Sequence, residues 1–229
     1  KTDIVFWYGN NDILVDALRS IIRRPTSIRV CHTHFDTEGI NFVERNRSII
    51  DGVVCVSPDL VSKIKGSTFI SNICNEKMLI SEEKVEFNNG LKTLGFLGRY
   101  DDNKNIAWLI GHLKEFNCNL LMQGMYSAQI TEEKLQRLIE YSGVKDRIKI
   151  LPFQRNVGTV LNSIDCLVLP SKEEGFPLVV INAGLRGIPV IVTDVGALPT
   201  LFNSSEILFV HRSEAGYPIV SEFKEALVS

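Results

Sequence analysis

The sequence predicts an α/β fold built on doubly wound parallel sheets, and two observations carry that prediction. Short apolar runs rich in β-branched residues alternate with longer amphipathic segments through almost the whole chain, the pattern of successive βαβ units. The 229 residues leave room for one large or two modest domains, and 45% apolar against 23% charged residues is a globular balance.

The strands are expected at Ile4–Tyr8, Ile28–His32, Gly52–Val56, Leu94–Gly98, Cys118–Gln123, Ile148–Leu151, Asp165–Leu169, Pro189–Thr193 and Ile207–Val210. Helices are expected between and after them at Asp12–Ile22, Ile40–Ser48, Pro58–Lys65, Asn105–Phe116, Thr131–Tyr141, Val157–Asn162, Pro177–Arg186 and Glu222–Val228. Several starts are marked locally. Ser57 before Pro58 gives an N-cap with proline at the first helical position, and Thr131 is followed by Glu132 and Glu133, whose charges suit the exposed amides of a first turn. The helix Pro177–Arg186 begins on proline and stops at Gly187. The polar, turn-rich stretch Asn75–Lys92, with Glu82-Glu83-Lys84 and Asn88-Asn89-Gly90, reads as a linker. It divides the chain into residues 1–81, a linker over 82–92, and residues 93–229. The first part shows only three convincing strands, so an incomplete first domain is expected.

Charge excludes some function classes. Lys and Arg number 25 against 27 Asp and Glu, so there is no broad basic field to hold a nucleic acid or a polybasic membrane tether. Local cations can still bind a small anion. No uncharged run reaches the ~18 residues that read as a membrane span; the longest, Phe116–Thr131, has 16 and Gly175–Leu185 has 11. Peripheral membrane contact stays open. The chain enters an apolar run directly after Lys1-Thr2-Asp3, without the layout of a secretory leader. Five cysteines, Cys31, Cys55, Cys74, Cys118 and Cys166, form no C-x-x-C pair and mostly sit in strand-like runs, which suits reduced thiols in a cytoplasmic protein.

In open parallel sheets ligands bind beyond the carboxyl ends of the strands, so the residues after each strand are the ones to read for chemistry. Arg99 follows the strand that ends on Gly98, and Lys104 stands at the mouth of the next helix, where free amides also favour anions. Two cations on one such loop, beside a glycine, suit a phosphate-bearing ligand. Farther on, Glu174-Gly175-Phe176-Pro177-Leu178 sets a carboxylate just ahead of a proline-initiated helix. That carboxylate would repel a diphosphate, so Glu174 is expected to meet neutral hydroxyls, with the amides of the turn left for the phosphates. His32 and His34 share one side of a strand, but no second ligand pair at metal-site spacing accompanies Cys31, His32, His34 and Asp36, and no Asp-x-Asp occurs. No metal site is therefore expected. His112 and His211 read as surface or helix-face residues, and Trp108 and Phe153 as packing.

Gly98-Arg99 with Lys104, then Glu174-Gly175-Phe176-Pro177-Leu178, then Gly187-Ile188-Pro189-Val190 and Thr193-Asp194-Val195-Gly196, resemble in order and spacing the donor-binding half of retaining glycosyltransferases of family 4. The resemblance spans about Leu94 to Pro199 and implies the GT-B fold of two Rossmann-like domains. It makes residues 93–229 the nucleotide-sugar-binding domain and residues 1–81 part of the acceptor-side domain. It implies sugar transfer from a nucleotide-diphosphate sugar to an acceptor hydroxyl, with retention and without a metal or other cofactor. The acceptor, whether glycan, lipid or small molecule, is not implied. Arg99 and Lys104 would hold the diphosphate, Glu174 the sugar hydroxyls, and Gly175, Phe176, Pro177, Leu178 and the Thr193 loop would complete the pocket. The acceptor-domain histidine is His32 or His34, with His34 preferred. Two departures stand out: Asn182 replaces the usual second glutamate that accepts hydrogen bonds from the ribose, and Thr200 stands where an acid is common. They leave a non-catalytic nucleotide-sugar-binding module as the alternative. A dinucleotide-binding domain ranks last, because no G-x-G-x-x-G follows any strand.

Overall fold

The computed structural model describes residues 4–8, 28–33 and 37–228. The chain forms two compact units. One comprises residues 1–72 together with 174–176 and 196–201; the other comprises residues 73–173, 177–195 and 202–229.

The first unit holds a parallel sheet of β1 (Ile4–Tyr8), β2 (Ile28–Thr33), β3 (Gly52–Cys55) and β4 (Ser67–Phe69), lying side by side in chain order. Its core packs Phe42 and Val43 from the helix Thr37–Arg45 and Leu60 from the helix Pro58–Lys63 against Val53 and Cys55. Pro58 is the first helical residue as expected, but the Ser57 side chain makes no cap hydrogen bond. Strand β4 has no counterpart in the sequence reading because three residues between Gly66 and Ile70 are too few to show alternation. The expected helix Asp12–Ile22 lies outside the described residues.

The second unit is built on six parallel strands: β5 (Thr93–Leu97), β6 (Asn119–Gln123), β7 (Ile148–Leu151), β8 (Cys166–Leu169), β9 (Val190–Thr193) and β10 (Leu208–Val210). They lie in the order β10-β9-β8-β5-β6-β7, so the chain winds outward one way from β5 and the other way from β8. Leu94 pairs with Leu120 on one side and Cys166 on the other, which makes β5 and β8 the two central strands. On one face Trp108 and Phe116 of the helix Ile106–Phe116 pack with Phe223 of the helix Val220–Ala226, at centroid distances of 5.4 Å and 4.7 Å from Phe223. Trp108 is thus the packing residue expected. The last helix begins at Val220, two residues before the expected Glu222, because the Glu222 carboxylate belongs in a first turn and there accepts the His211 amide (2.7 Å).

Residues 82–92 run along this second unit. The Val85 amide donates to Ser163 Oγ (2.8 Å), Asn89 and Asn119 exchange side-chain hydrogen bonds, and Lys149 Nζ donates to the Glu86 carbonyl (2.7 Å). Thr131 caps its helix by accepting from the Lys134 amide (3.3 Å), and Gly187, at φ +66°, ends the helix Leu178–Leu185 in the left-handed conformation. Cys55, Cys74, Cys118 and Cys166 are all free thiols. Burial pushes the Cys166 thiol up to about 12.

Candidate functional site

The winding direction reverses between β5 and β8, and a crevice opens at such a point beyond the carboxyl ends of the strands. The loops that follow β5, β6 and β8 border it. The Gly98 amide donates to the Gln123 carbonyl (3.2 Å) and the Tyr100 amide to the Met125 carbonyl (2.8 Å), so the first loop stays paired with the end of β6. This approach requires glycine at 124, where a Cβ would sit 1.8 Å from the Gly98 carbonyl oxygen.

Asp101, 3% exposed, organises the two cations. Its Oδ1 accepts the Lys104 amide (3.0 Å), and its Oδ2 accepts Arg99 Nε (2.9 Å) and pairs with the second guanidinium nitrogen at 2.7 Å. A buried carboxylate thereby fixes one edge of the guanidinium, while the Arg99 side chain stays 61% exposed. Sequence reasoning passed over Asp101. The signal was available: an aspartate three residues before Lys104 is spaced to bond that backbone amide.

Thr193 ends β9 and is 1% exposed, and its hydroxyl donates to the Ser171 carbonyl (2.5 Å). Its side chain ties two loops together, and beyond it the Asp194 amide donates to the Val210 carbonyl (3.2 Å) and the Val195 amide to the Thr193 carbonyl (2.8 Å). Pro177 precedes the helix Leu178–Leu185 rather than opening it, and Leu178 is 42% exposed. On that helix Asn182 Oδ1 accepts the Cys74 thiol (2.8 Å).

Glu174, Gly175 and Phe176 belong to the first unit, together with residues 196–201. The Ala197 amide donates to the Gly175 carbonyl (3.3 Å), and Asn72 Nδ2 donates to the Phe176 carbonyl (2.9 Å). Gly196 is required here on two counts: φ is +58°, and a Cβ would fall 1.6 Å from the Glu174 carbonyl oxygen. Thr200 donates to Asp59 (3.1 Å). His32 lies on β2 opposite Val54, and His34 lies outside the described residues.

A cleft of about 620 Å³ opens at the carboxyl ends of β6 and β7, lined by Met125, Tyr126, Glu132, Ile150 and Phe153 among others. Phe153 is 54% exposed, which corrects its reading as a packing residue: it follows the edge strand β7, and its ring stands at the cleft. Tyr126 is 41% exposed and meets the buried Tyr100 edge to face at 5.4 Å. Another cleft, of about 750 Å³, lies at the opposite, amino ends of the strands between Leu94, Phe116, Cys118, Cys166 and Leu227. Among the described residues no three His, Cys, Asp or Glu side chains gather as a metal-binding group, and no helix is long and apolar enough to cross a membrane.

A doubly wound sheet with basic residues on a loop at its reversal point defines a class: α/β proteins whose ligands bind at the strand ends. Residues 79–218 match the family described as Glycosyl transferases group 1, and the chain belongs to that family. It is similar to the lipopolysaccharide core biosynthesis mannosyltransferase LpsB of Rhizobium meliloti, at 31% identity over 97 residues, covering 42% of this chain and 26% of the relative. It is also similar to the UDP-Gal:alpha-D-GlcNAc-diphosphoundecaprenol alpha-1,3-galactosyltransferase of Escherichia coli, at 25% identity over 157 residues, covering 63% of this chain and 41% of the relative. The matched segments thus span less than half the length of these relatives. HepE of Anabaena in complex with UDP-glucose superposes with a TM-score of 0.78 at 18% identity, covering 99% of this chain and 68% of that one. The fold is of the GT-B type expected.

Proposed function

We propose that the chain carries the donor-handling part of a glycosyltransferase that moves a sugar from a nucleotide-diphosphate sugar to an acceptor hydroxyl. The observation that carries this reading is the Asp101-organised pair Arg99 and Lys104 at the reversal point of the second sheet, in a chain of the Glycosyl transferases group 1 family. HepE, which shares the fold, binds UDP-glucose.

When the glycosidic bond breaks, negative charge grows on the departing diphosphate. Cations held in place beforehand stabilise that state more than the ground state, so they act on turnover and not only on binding. Arg99 and Lys104 take this role, Glu174 the sugar hydroxyls, and the exposed rings of Phe153 and Tyr126 the nucleobase, for which a flat apolar wall is suited. His34 serves the acceptor side. Transfer proceeds with retention and with the two side-chain cations in place of a metal. Product anomer by NMR and rates in the presence of EDTA test those two points, with a retained anomer and unchanged rates expected.

The principal test is turnover of UDP-, GDP- and ADP-linked hexoses. Arg99→Ala and Lys104→Ala each lower the rate by roughly 10²–10³, the loss typical of one electrostatic contact to a developing anion. Wild-type rates in both variants at saturating donor would overturn the assignment. One observation favours a second reading, a binding module without turnover: Asn182 stands in place of the glutamate, and its carbonyl oxygen already accepts the Cys74 thiol. Nucleotide-sugar binding without hydrolysis or transfer would select it.

A further inference from the structure

Asn105 adjoins Lys104 and makes contacts that the reading above does not use. Its backbone is left-handed at φ +51°, a conformation uncommon outside glycine, and the residue is 3% exposed. Its side-chain amide donates to the Pro170 carbonyl (2.8 Å), in the loop after β8, and to the Gly216 carbonyl (2.9 Å), in the turn after β10. Both partners are acceptors only, so the amide orientation is fixed with nitrogen inward. Asn103 works alongside: its carbonyl accepts the Lys172 amide (2.7 Å), and its Nδ2 donates to the Glu173 carbonyl (3.0 Å). Arg212 in turn donates to the Lys172 carbonyl (2.6 Å), and Lys172 Nζ lies 4.9 Å from the centre of the Tyr217 ring.

These bonds join the loop that carries Arg99 and Lys104 to the loop that follows β8, across the reversal point between β5 and β8. We propose that Asn105, seconded by Asn103, is a positioning residue for the diphosphate: it locks the cation loop to the Pro170–Glu173 loop so that Lys104 is held where the phosphates dock. The inference rests on the donor-site reading above. Positioning matters because an unbraced lysine loses more rotamer freedom on binding, and a small misplacement of a charge at a reacting centre reduces its effect steeply.

The test uses the full chain and titration calorimetry with UDP, GDP and ADP, each against its own monophosphate. Asn105→Gly keeps the left-handed backbone and removes both bonds, and its melting transition shows whether it is folded. Asn105→Asp sets a carboxylate oxygen against two carbonyl oxygens. Asn103→Ala, at a partly exposed position, removes one bond and guards against a folding defect in the other two. The expected result is a fall of about tenfold in the diphosphate-to-monophosphate affinity ratio for Asn105→Gly, a larger fall for Asn105→Asp, and about two- to threefold for Asn103→Ala, because the monophosphate makes fewer contacts with the braced cations. A purely structural role would lower the melting temperature and leave this ratio unchanged. An unchanged ratio in folded Asn105→Gly and Asn103→Ala, with the wild-type chain binding its diphosphate, overturns the inference and leaves the site reading standing. Failure of the wild-type chain to prefer any diphosphate over its monophosphate overturns both.

Discussion

The two sheets of this protein use the same βαβ grammar with different results. In the first, β1 to β4 follow one another in chain order; in the second, the order turns back between β5 and β8. A sheet that runs one way directs successive connections to one face, whereas a reversal parts two neighbouring loops and leaves a crevice between them. The cations, Asp101 and the asparagine brace all stand on loops at that reversal, and the core behind them is correspondingly larger, with Trp108, Phe116 and Phe223 stacked against the strands. The first unit has a compact core centred on Phe42, Val43 and Ile64.

If nucleotide affinity belongs to the second sheet, damage to the first should spare it. Phe42→Ala is expected to cost about 3–5 kcal/mol of stability, as typical for truncating a buried aromatic, while UDP affinity below the melting transition stays within about twofold. Calorimetric melting with a parallel UDP titration measures both, and a joint loss would break the contrast. Gly124→Ala addresses the second sheet directly. Its Cβ cannot coexist with the Gly98 carbonyl, so about 1–3 kcal/mol of strain is expected, with weakened nucleotide binding as the cation loop shifts. Phe153→Ala sharpens the picture: loss of a stacking surface is worth about tenfold in affinity for the nucleotide and nothing for inorganic pyrophosphate. Equal loss for both ligands would remove the ring from the nucleobase role.

The smallest effect concerns pH. The Glu222 carboxylate, and Asp194 at longer range, raise the His211 pKa above its usual 6.5, while the His211 amide first and its ring next lower that of Glu222 below 4.5. A raised histidine stabilises fully below its unfolded pKa and loses this as pH rises through the folded value. A lowered glutamate stabilises above its unfolded pKa and loses this as pH falls through its folded value. Both contributions are therefore present between about pH 5 and 6. His211→Ala is expected to depress the melting temperature by a degree or so there and by less above pH 8, small because the pair is exposed. A difference that grew with pH would contradict the assignment.

The sheet architecture was legible in the sequence because β5, β6, β8 and β9 are buried, mainly apolar runs bounded by turn residues; β4 and the helix Leu198–Leu201, three and four residues long, are too short to carry a period. The loop that carries Arg99 and Lys104 was legible because it follows a strand end. What escaped notice depends on burial or on contacts distant in sequence. Asp101 reads as one acid among several until its burial is known, and Asn105 reaches Pro170 and Gly216 only once three loops have come together. Phe153 was misread because an aromatic beside a strand end can pack or stand at a rim, and only the edge position of β7 decides.

The two short excursions 174–176 and 196–201 bear on how the gene can be dissected. Because they group with residues 1–72 although the sequence on either side of each groups with the other unit, no single cut separates the two compact bodies. A clone beginning at residue 73 would carry both excursions without the residues they cluster with. Protease trimming, chimeras and split reporters would need several junctions, and a foreign stretch spliced in from residue 73 onward would bring its own versions of these segments with it.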